Sequence, residues 1–142
     1  DSAVAAGFWM AQRVKSLITP ETVLCPIPLH WRRKLGRRYN QSELLAREMK
    51  RHLGIPVRPD IITRPRATIP LEDATQSERQ ARLANAFEIN PRLRHTDIPQ
   101  SVVLVDDVMT TGSTLAAAAM CLGHAGVTKI NIVVLARVDR ND

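Results

Sequence analysis

Aromatic side chains are scarce in this chain. Phe, Trp and Tyr together make up 4% of its 142 residues, so the core must be built from Val, Ile, Leu and Ala. Cysteine is scarcer still. Cys25 and Cys121 lie far apart and form no CxxC pair, which excludes a disulfide framework or a zinc ribbon within this stretch. Both stand in apolar surroundings and read as small core residues, and a reduced, cytoplasmic setting is the expectation. No apolar run reaches the roughly 18 residues of a membrane span. The first segment has neither the basic nor the apolar region of a signal peptide, and the chain opens on Asp1 rather than Met, as a fragment or a processed form would. Internal repeats, low-complexity tracts and linkers are also missing. What remains suits a single domain over residues 1–142: the length is short for two, and 44% hydrophobic content excludes wholesale disorder.

Charge is present in excess of one sign. Twenty basic residues against fourteen acidic give +6, and sixteen of the twenty are Arg. The planar guanidinium fork suits phosphate oxygens, where Lys offers a point charge. A solvated basic surface is one reading; a polyanionic ligand, either nucleic acid or a small phosphorylated molecule, is the other.

Periodicity outlines the elements. Val4, Phe8, Ala11, Val14 and Ile18 fall on one stripe, which predicts an amphipathic helix ending before Thr19-Pro20. Phe8 and Trp9 on this helix read as packing residues, with contact to a second copy in a homodimer as the alternative. Residues 23–29 predict a short buried strand; Pro26 and Pro28, awkward in a central ladder, mark its change into a loop. A basic stretch, WRRKLGRR, follows. Residues 40–53 predict a helix: Asn40 with Glu43 resembles a capping box, Leu45, Met49 and Leu53 repeat every fourth residue, and Gly54 terminates it. Residues 60–64 predict a second short strand. Residues 65–80 are polar and aperiodic, long enough for a functional loop, and 91–100 form a connector. Residues 102–105, VVLV, predict a strand buried on both faces of a parallel sheet. An alanine-rich helix over 114–125 and a second apolar strand over 129–136 complete a βαβ unit. The architecture expected is α/β, a doubly wound parallel sheet.

The strongest signal is VVLVDDVMTTGST, residues 102–114. A buried strand delivers Asp106 and Asp107, and a loop of small hydroxyl residues around Gly112 then opens onto a helix. Gly112 lets backbone approach a ligand with no Cβ in the way. Amides at a helix start face an anion, and the Thr110, Thr111, Ser113 and Thr114 hydroxyls add donors, making a cradle for one phosphate. Adjacent carboxylates would repel that phosphate if they faced it. They suit a neighbouring diol, or a metal that bridges ligand oxygens. A phosphorylated sugar at the carboxyl end of a parallel strand satisfies all of this. The string is neither a Walker loop nor a GxGxxG fingerprint.

These residues resemble, without a gap, the phosphoribosyl-pyrophosphate (PRPP) motif of type I phosphoribosyltransferases. Upstream, PIPLHWRRKLGRRYNQSELLA resembles the Pro-rich strand end, basic loop and Asn-Gln helix of the ComF/GntX branch. Arg64-Pro65-Arg66-Ala67-Thr68 resembles that branch's entry to a flexible loop, and Asn85-Ala86-Phe87 and Leu135-Ala136-Arg137 also fit. The likeness spans roughly residues 20–138. It implies the type I fold, a five-stranded parallel core with a small hood, and Mg²⁺ bound with PRPP. It implies a 5′-phosphate site at Met109, Thr110, Thr111, Gly112, Ser113 and Thr114, and ribose hydroxyls on Asp106 and Asp107, which would hold the metal indirectly. Pyrophosphate would lie on His30, Arg32 and Arg33, and Arg66 would join the two aspartates as a catalytic residue. Three features depart from the pattern. The branch's Cys-rich zinc-ribbon segment is not in this stretch, Leu71 stands where the family has Gln, and Arg82 where it has Asn.

The implied activity is Mg²⁺-dependent phosphoribosyl transfer with release of pyrophosphate. Its acceptor, an amine or a nucleobase, stays open because no residue stands out as a general base. Arg64, Arg66, Thr68 and Arg79 read either as surface polar residues or as a lid that keeps water from the ribosyl centre. The competing class is a non-catalytic DNA-uptake protein that binds single-stranded DNA on residues 31–38, where Trp31 and Tyr39 flank the basic run as stacking platforms. His52 and His124 fall near helix carboxyl ends and need no role.

Overall fold

A computed structural model describes residues 2–29, 40–65, 75–77, 86–109 and 111–138. The elements run α1 (Ser2–Val14), β1 (Thr22–Pro26), α2 (Gln41–Leu53), β2 (Ile62–Thr63), β3 (Glu88–Ile89), β4 (Ser101–Met109), α3 (Ser113–His124) and β5 (Lys129–Arg137). β1, β4 and β5 form a parallel sheet with β4 in the middle. Leu24 also bridges Val57 in parallel, which adds a single residue beyond β1. Among the described residues the sheet therefore has three strands and this bridge, against the five that the resemblance implies. β2 and β3 make a separate antiparallel pair. Most of the segment between them lies outside the described residues.

Helices cover both faces, as expected of a doubly wound sheet. Val103 and Val105 of β4 pack with Met10 and Ala11 of α1 and Leu45, Ala46 and Met49 of α2. Val102 and Leu104 turn the other way, onto Leu115, Ala118 and Leu122 of α3 and onto Phe87. This alternation explains why 102–105 has no polar residue: each side chain meets a helix layer. Cys25 is buried in the second layer and Cys121 is half-buried, both as free thiols. Burial pushes the Cys25 thiol up to about 12, so it stays protonated and unreactive. Among the described residues no helix is long and apolar enough to cross a membrane.

Several boundaries differ from those the sequence predicts. β1 stops at Pro26. Leu24 donates to the Pro56 carbonyl and accepts from the Arg58 amide, each at 2.8 Å, on the side away from β4, whereas Ile27 donates to Val105 on the β4 side at 2.9 Å. Pro26 shares Leu24's parity, so its missing N–H points where pairing has already ended. β4 continues four residues past Val105, because β5 pairs with it as far as Met109 opposite Arg137. β5 lies at the sheet edge, and its apolar run is buried throughout only at Val133.

The stripe on α1 is also rotated from the predicted one. Ala6, Gly7, Met10, Ala11 and Val14 are buried, whereas Val4 and Phe8 are 42% and 43% exposed and Trp9 is 69% exposed. The cause is the close approach of α1 to α2: a Cβ built on Gly7 would run into Cβ of Glu48, so small residues line the crossing and large ones are turned out. Phe8 instead meets the His52 ring edge-on at 5.2 Å. Gly7→Ala should therefore destabilise the fold by roughly 1–3 kcal/mol, despite Ala's better helix propensity, because the helices must move apart. A thermal melt checks this; an unchanged or raised midpoint would contradict the crossing described.

Candidate functional site

The carboxyl end of β4 is where the chain gathers its polar groups. Asp106 and Asp107 lie within the strand rather than after it, both partly buried. The Asp106 Oδ1 atom accepts two hydrogen bonds, one from the Ser42 hydroxyl at 3.0 Å and one from the Asp107 amide at 2.9 Å. Oδ1 of Asp107 accepts from the Val108 amide at 2.9 Å. Burial, and then the neighbouring Asp107 carboxyl, raise Asp106 from its ordinary 3.8 to about 6, although the Ser42 hydrogen bond works the other way. Two carboxyls thus sit side by side, one of them ionised at some expense.

α2 enters this edge through its first turn. Asn40 caps the helix, its Oδ1 accepting from the Ser42 amide at 2.9 Å. The same side chain donates through Nδ2 to the Ile27 carbonyl at 3.0 Å, which ties the helix start to the end of β1. A capping box would set the Glu43 carboxylate on the Asn40 amide. Glu43 pairs with Arg47 instead, at 2.9 Å. Ser42 is 3% exposed and reaches Asp106 from beneath. Sequence reading missed it. The available signal was a hydroxyl on α2's buried stripe, one turn ahead of Leu45 and Ala46.

α3 starts three residues beyond β4. Gly112 is its N-cap with φ +82°, a left-handed conformation that only glycine adopts freely, and it has no side chain of its own to cap the helix. The Thr111 hydroxyl donates to Ser113 Oγ at 2.9 Å and accepts from the Ser113 amide at 3.3 Å, drawing the turn together. Among the described residues a Cβ on Gly112 would meet only Met109 Sδ, at 3.7 Å, which leaves room for a ligand against this backbone. A helix start of this kind, where Ser113 is the one first-turn amide met by a side chain among the described residues, attracts an anion.

Of the residues singled out from the sequence, Asp106, Asp107, Met109, Thr111, Gly112, Ser113 and Thr114 are therefore gathered along one strand end, turn and helix start. His30, Arg32, Arg33, Arg66 and Thr110 lie outside the described residues. Arg64, at the start of the irregular loop, sets its guanidinium over the Phe87 ring at 4.9 Å. No group of three or more metal-ligating side chains occurs among the described residues. Two adjacent carboxylates fit Mg²⁺ that arrives with phosphate ligands and its own waters, rather than a resident protein cage.

A doubly wound parallel sheet whose middle strand carries paired acids near its carboxyl end, followed by a glycine turn and a helix start, is a fold of the phosphoribosyltransferase kind. Residues 40–142 match the phosphoribosyl transferase domain family, and the chain belongs to it. It is similar to competence protein F of Haemophilus influenzae, with 37% identity over 128 residues, covering 89% of this chain and 55% of that protein. It is similar also to DNA utilization protein YhgH of Escherichia coli O157:H7, with 36% identity over 129 residues, covering 89% of this chain and 54% of the relative. The chain thus spans about half the length of these relatives. Among solved structures, the allosteric regulatory enzyme of purine biosynthesis aligns with a TM-score of 0.60 at 18% identity, over 94% of this chain and 25% of its own. A purine phosphoribosyltransferase from Pyrococcus horikoshii aligns at 0.51 and 19%, over 96% and 81%. These two share its fold.

Proposed function

We propose that this chain binds PRPP together with Mg²⁺ and transfers its phosphoribosyl group to an amine or nucleobase acceptor, releasing pyrophosphate. One observation carries the reading: the Asp106–Asp107 pair, suited to a diol, stands five residues before Gly112, the cap of a helix start suited to a phosphate. Ribose 5-phosphate presents those two groups in that order. The 5′-phosphate would lie on the 109–114 turn and the ribose hydroxyls on the two carboxylates. Breaking the C1–O bond sends its electron pair out with pyrophosphate and leaves an oxocarbenium-like ribosyl centre. The carboxylates favour that cation by their charge. Mg²⁺ bound with PRPP would be held through Asp106 and Asp107 and would neutralise charge on the leaving diphosphate.

The pyrophosphate itself is assigned to His30, Arg32 and Arg33, with Arg66 contributing from the loop that follows β2. Support comes from the stem of the basic segment: the Asn40–Ile27 hydrogen bond holds its two flanks at the sheet edge that carries Asp106. A second reading is favoured by the names of the relatives, one a competence protein and the other a DNA utilization protein. In it the 31–38 run contacts single-stranded DNA.

One variant separates the two. Arg32→Ala with Arg33→Ala should leave ribose 5-phosphate binding unchanged in calorimetry and weaken Mg²⁺–PRPP about 100-fold or more, since each lost charged contact removes roughly 1.5–3 kcal/mol. Unchanged PRPP affinity with a loss of single-stranded DNA binding, read by fluorescence anisotropy, would move the basic run to the DNA reading.

A further inference from the structure

We propose that Ser42 is a positioning residue for the sugar-binding carboxylates, holding the Asp106 side chain from below so that its second oxygen faces the ribose. The inference rests on the phosphoribosyl reading of the site and adds to it a residue 64 positions away in the chain.

The hydrogen bonds are directional. Both donors to Asp106, the Ser42 hydroxyl and the Asp107 amide, reach Oδ1. Neither donor reaches Oδ2, the oxygen left to the neighbouring Asp107 carboxyl and to an incoming ribose hydroxyl. A carboxylate pinned through one oxygen by a backbone amide and a side-chain hydroxyl has lost the rotation that would otherwise be surrendered on binding. Ser42 is fixed in turn. Its amide is held by Asn40 Oδ1, Asn40 is held to the Ile27 carbonyl, and Leu45 and Ala46 in the next turn are buried in the core. The run of contacts from Ile27 through Asn40 and Ser42 to Asp106 thus joins β1, α2 and β4 at the edge where the ligand would bind. Helix packing alone gives no reason for a hydroxyl here: the position is 3% exposed, and an alanine would fill it without a polar group to satisfy.

The test compares ligands with and without the sugar. Ser42→Ala and the near-isosteric Ser42→Cys should each weaken ribose 5-phosphate binding about tenfold, the loss of one charged hydrogen bond, while inorganic phosphate, bound on the 109–114 turn, keeps its affinity. Ser42→Thr, which restores the hydroxyl, should recover most of the ribose 5-phosphate affinity. Undiminished ribose 5-phosphate binding in the folded Ala or Cys variant overturns the positioning role and leaves the phosphoribosyl reading standing. Equal losses for phosphate and ribose 5-phosphate also overturn it, by showing a general disturbance of the edge. Failure of the wild-type protein to bind ribose 5-phosphate at all overturns the phosphoribosyl reading, and this role with it.

Discussion

Asp106→Asn is expected to make the protein more stable at pH 8 and to strip it of most of its affinity for PRPP. In the folded protein the carboxyl is raised to about 6 by burial and by Asp107, whereas in an unfolded chain it titrates near an ordinary value of about 3.9. The folded state therefore binds the proton more tightly. Its contribution to stability is fully present below about pH 4 and is lost as the pH rises through about 6. Above that range the ionised Asp106 opposes folding, and an amide of the same shape relieves it. With its partial exposure discounted, the gain should be roughly 1–2 kcal/mol at pH 8, read as a rise of several degrees in melting temperature. Near pH 4 the two proteins should melt alike. Binding moves the opposite way: an amide offers a ribose hydroxyl one neutral acceptor, so PRPP should weaken on the order of 10- to 100-fold. A variant less stable than wild type at pH 8, or one that keeps PRPP affinity, would contradict the role given to this carboxyl.

Gly112→Val should produce the largest loss at the phosphate turn. The residue holds φ +82° at the cap of α3, a conformation that a β-branched side chain adopts only with strain, and the fold should weaken by roughly 1–2 kcal/mol. The stronger effect falls on the ligand. Among the described residues only Met109 comes near, so the added side chain would occupy the space in front of the first amides of α3. Ribose 5-phosphate binding should fall by about 100-fold, beyond anything the folding loss explains, because amides that cannot reach the phosphate lose charge-assisted hydrogen bonds. Titration of the folded variant at low temperature separates the two effects. Full affinity there would remove the 109–114 turn from the site.

How legible each feature was follows from how far apart in sequence its parts lie. The strand, carboxylates, glycine turn and helix start of residues 102–124 are contiguous, so one string carried both the parallel strand and the chemistry at its end. The α2 boundaries were equally plain, from Asn40 at one cap to Gly54 with φ +68° at the other. Ser42 was not, because its partner lies on another strand and a serine near a helix start has an ordinary explanation. The phase of α1 failed for a related reason. Large apolar residues draw the eye, yet a close helix crossing selects Ala6, Gly7 and Ala11 and turns Phe8 and Trp9 outward. The apolar run of β5 gave no sign that Val133 alone would be fully buried in the last strand of the described sheet. β3, a pair of residues matched to Ile62 and Thr63, is too short to show any period.

Thermal melting with PRPP in the presence and absence of Mg²⁺ tests the central claim most directly. With its ribose on Asp106 and Asp107, PRPP would bring its diphosphate near two adjacent carboxyls, so it should bind well only with part of its charge neutralised. At a hundredfold excess over its dissociation constant, Mg²⁺–PRPP should add about 2.7 kcal/mol of stability, a rise on the order of 10 °C for a chain of this size. PRPP with chelator should shift the midpoint by far less. Equal shifts with and without the metal, or no shift at saturating Mg²⁺–PRPP, would contradict the assignment of Asp106, Asp107 and the 109–114 turn to a phosphoribosyl ligand.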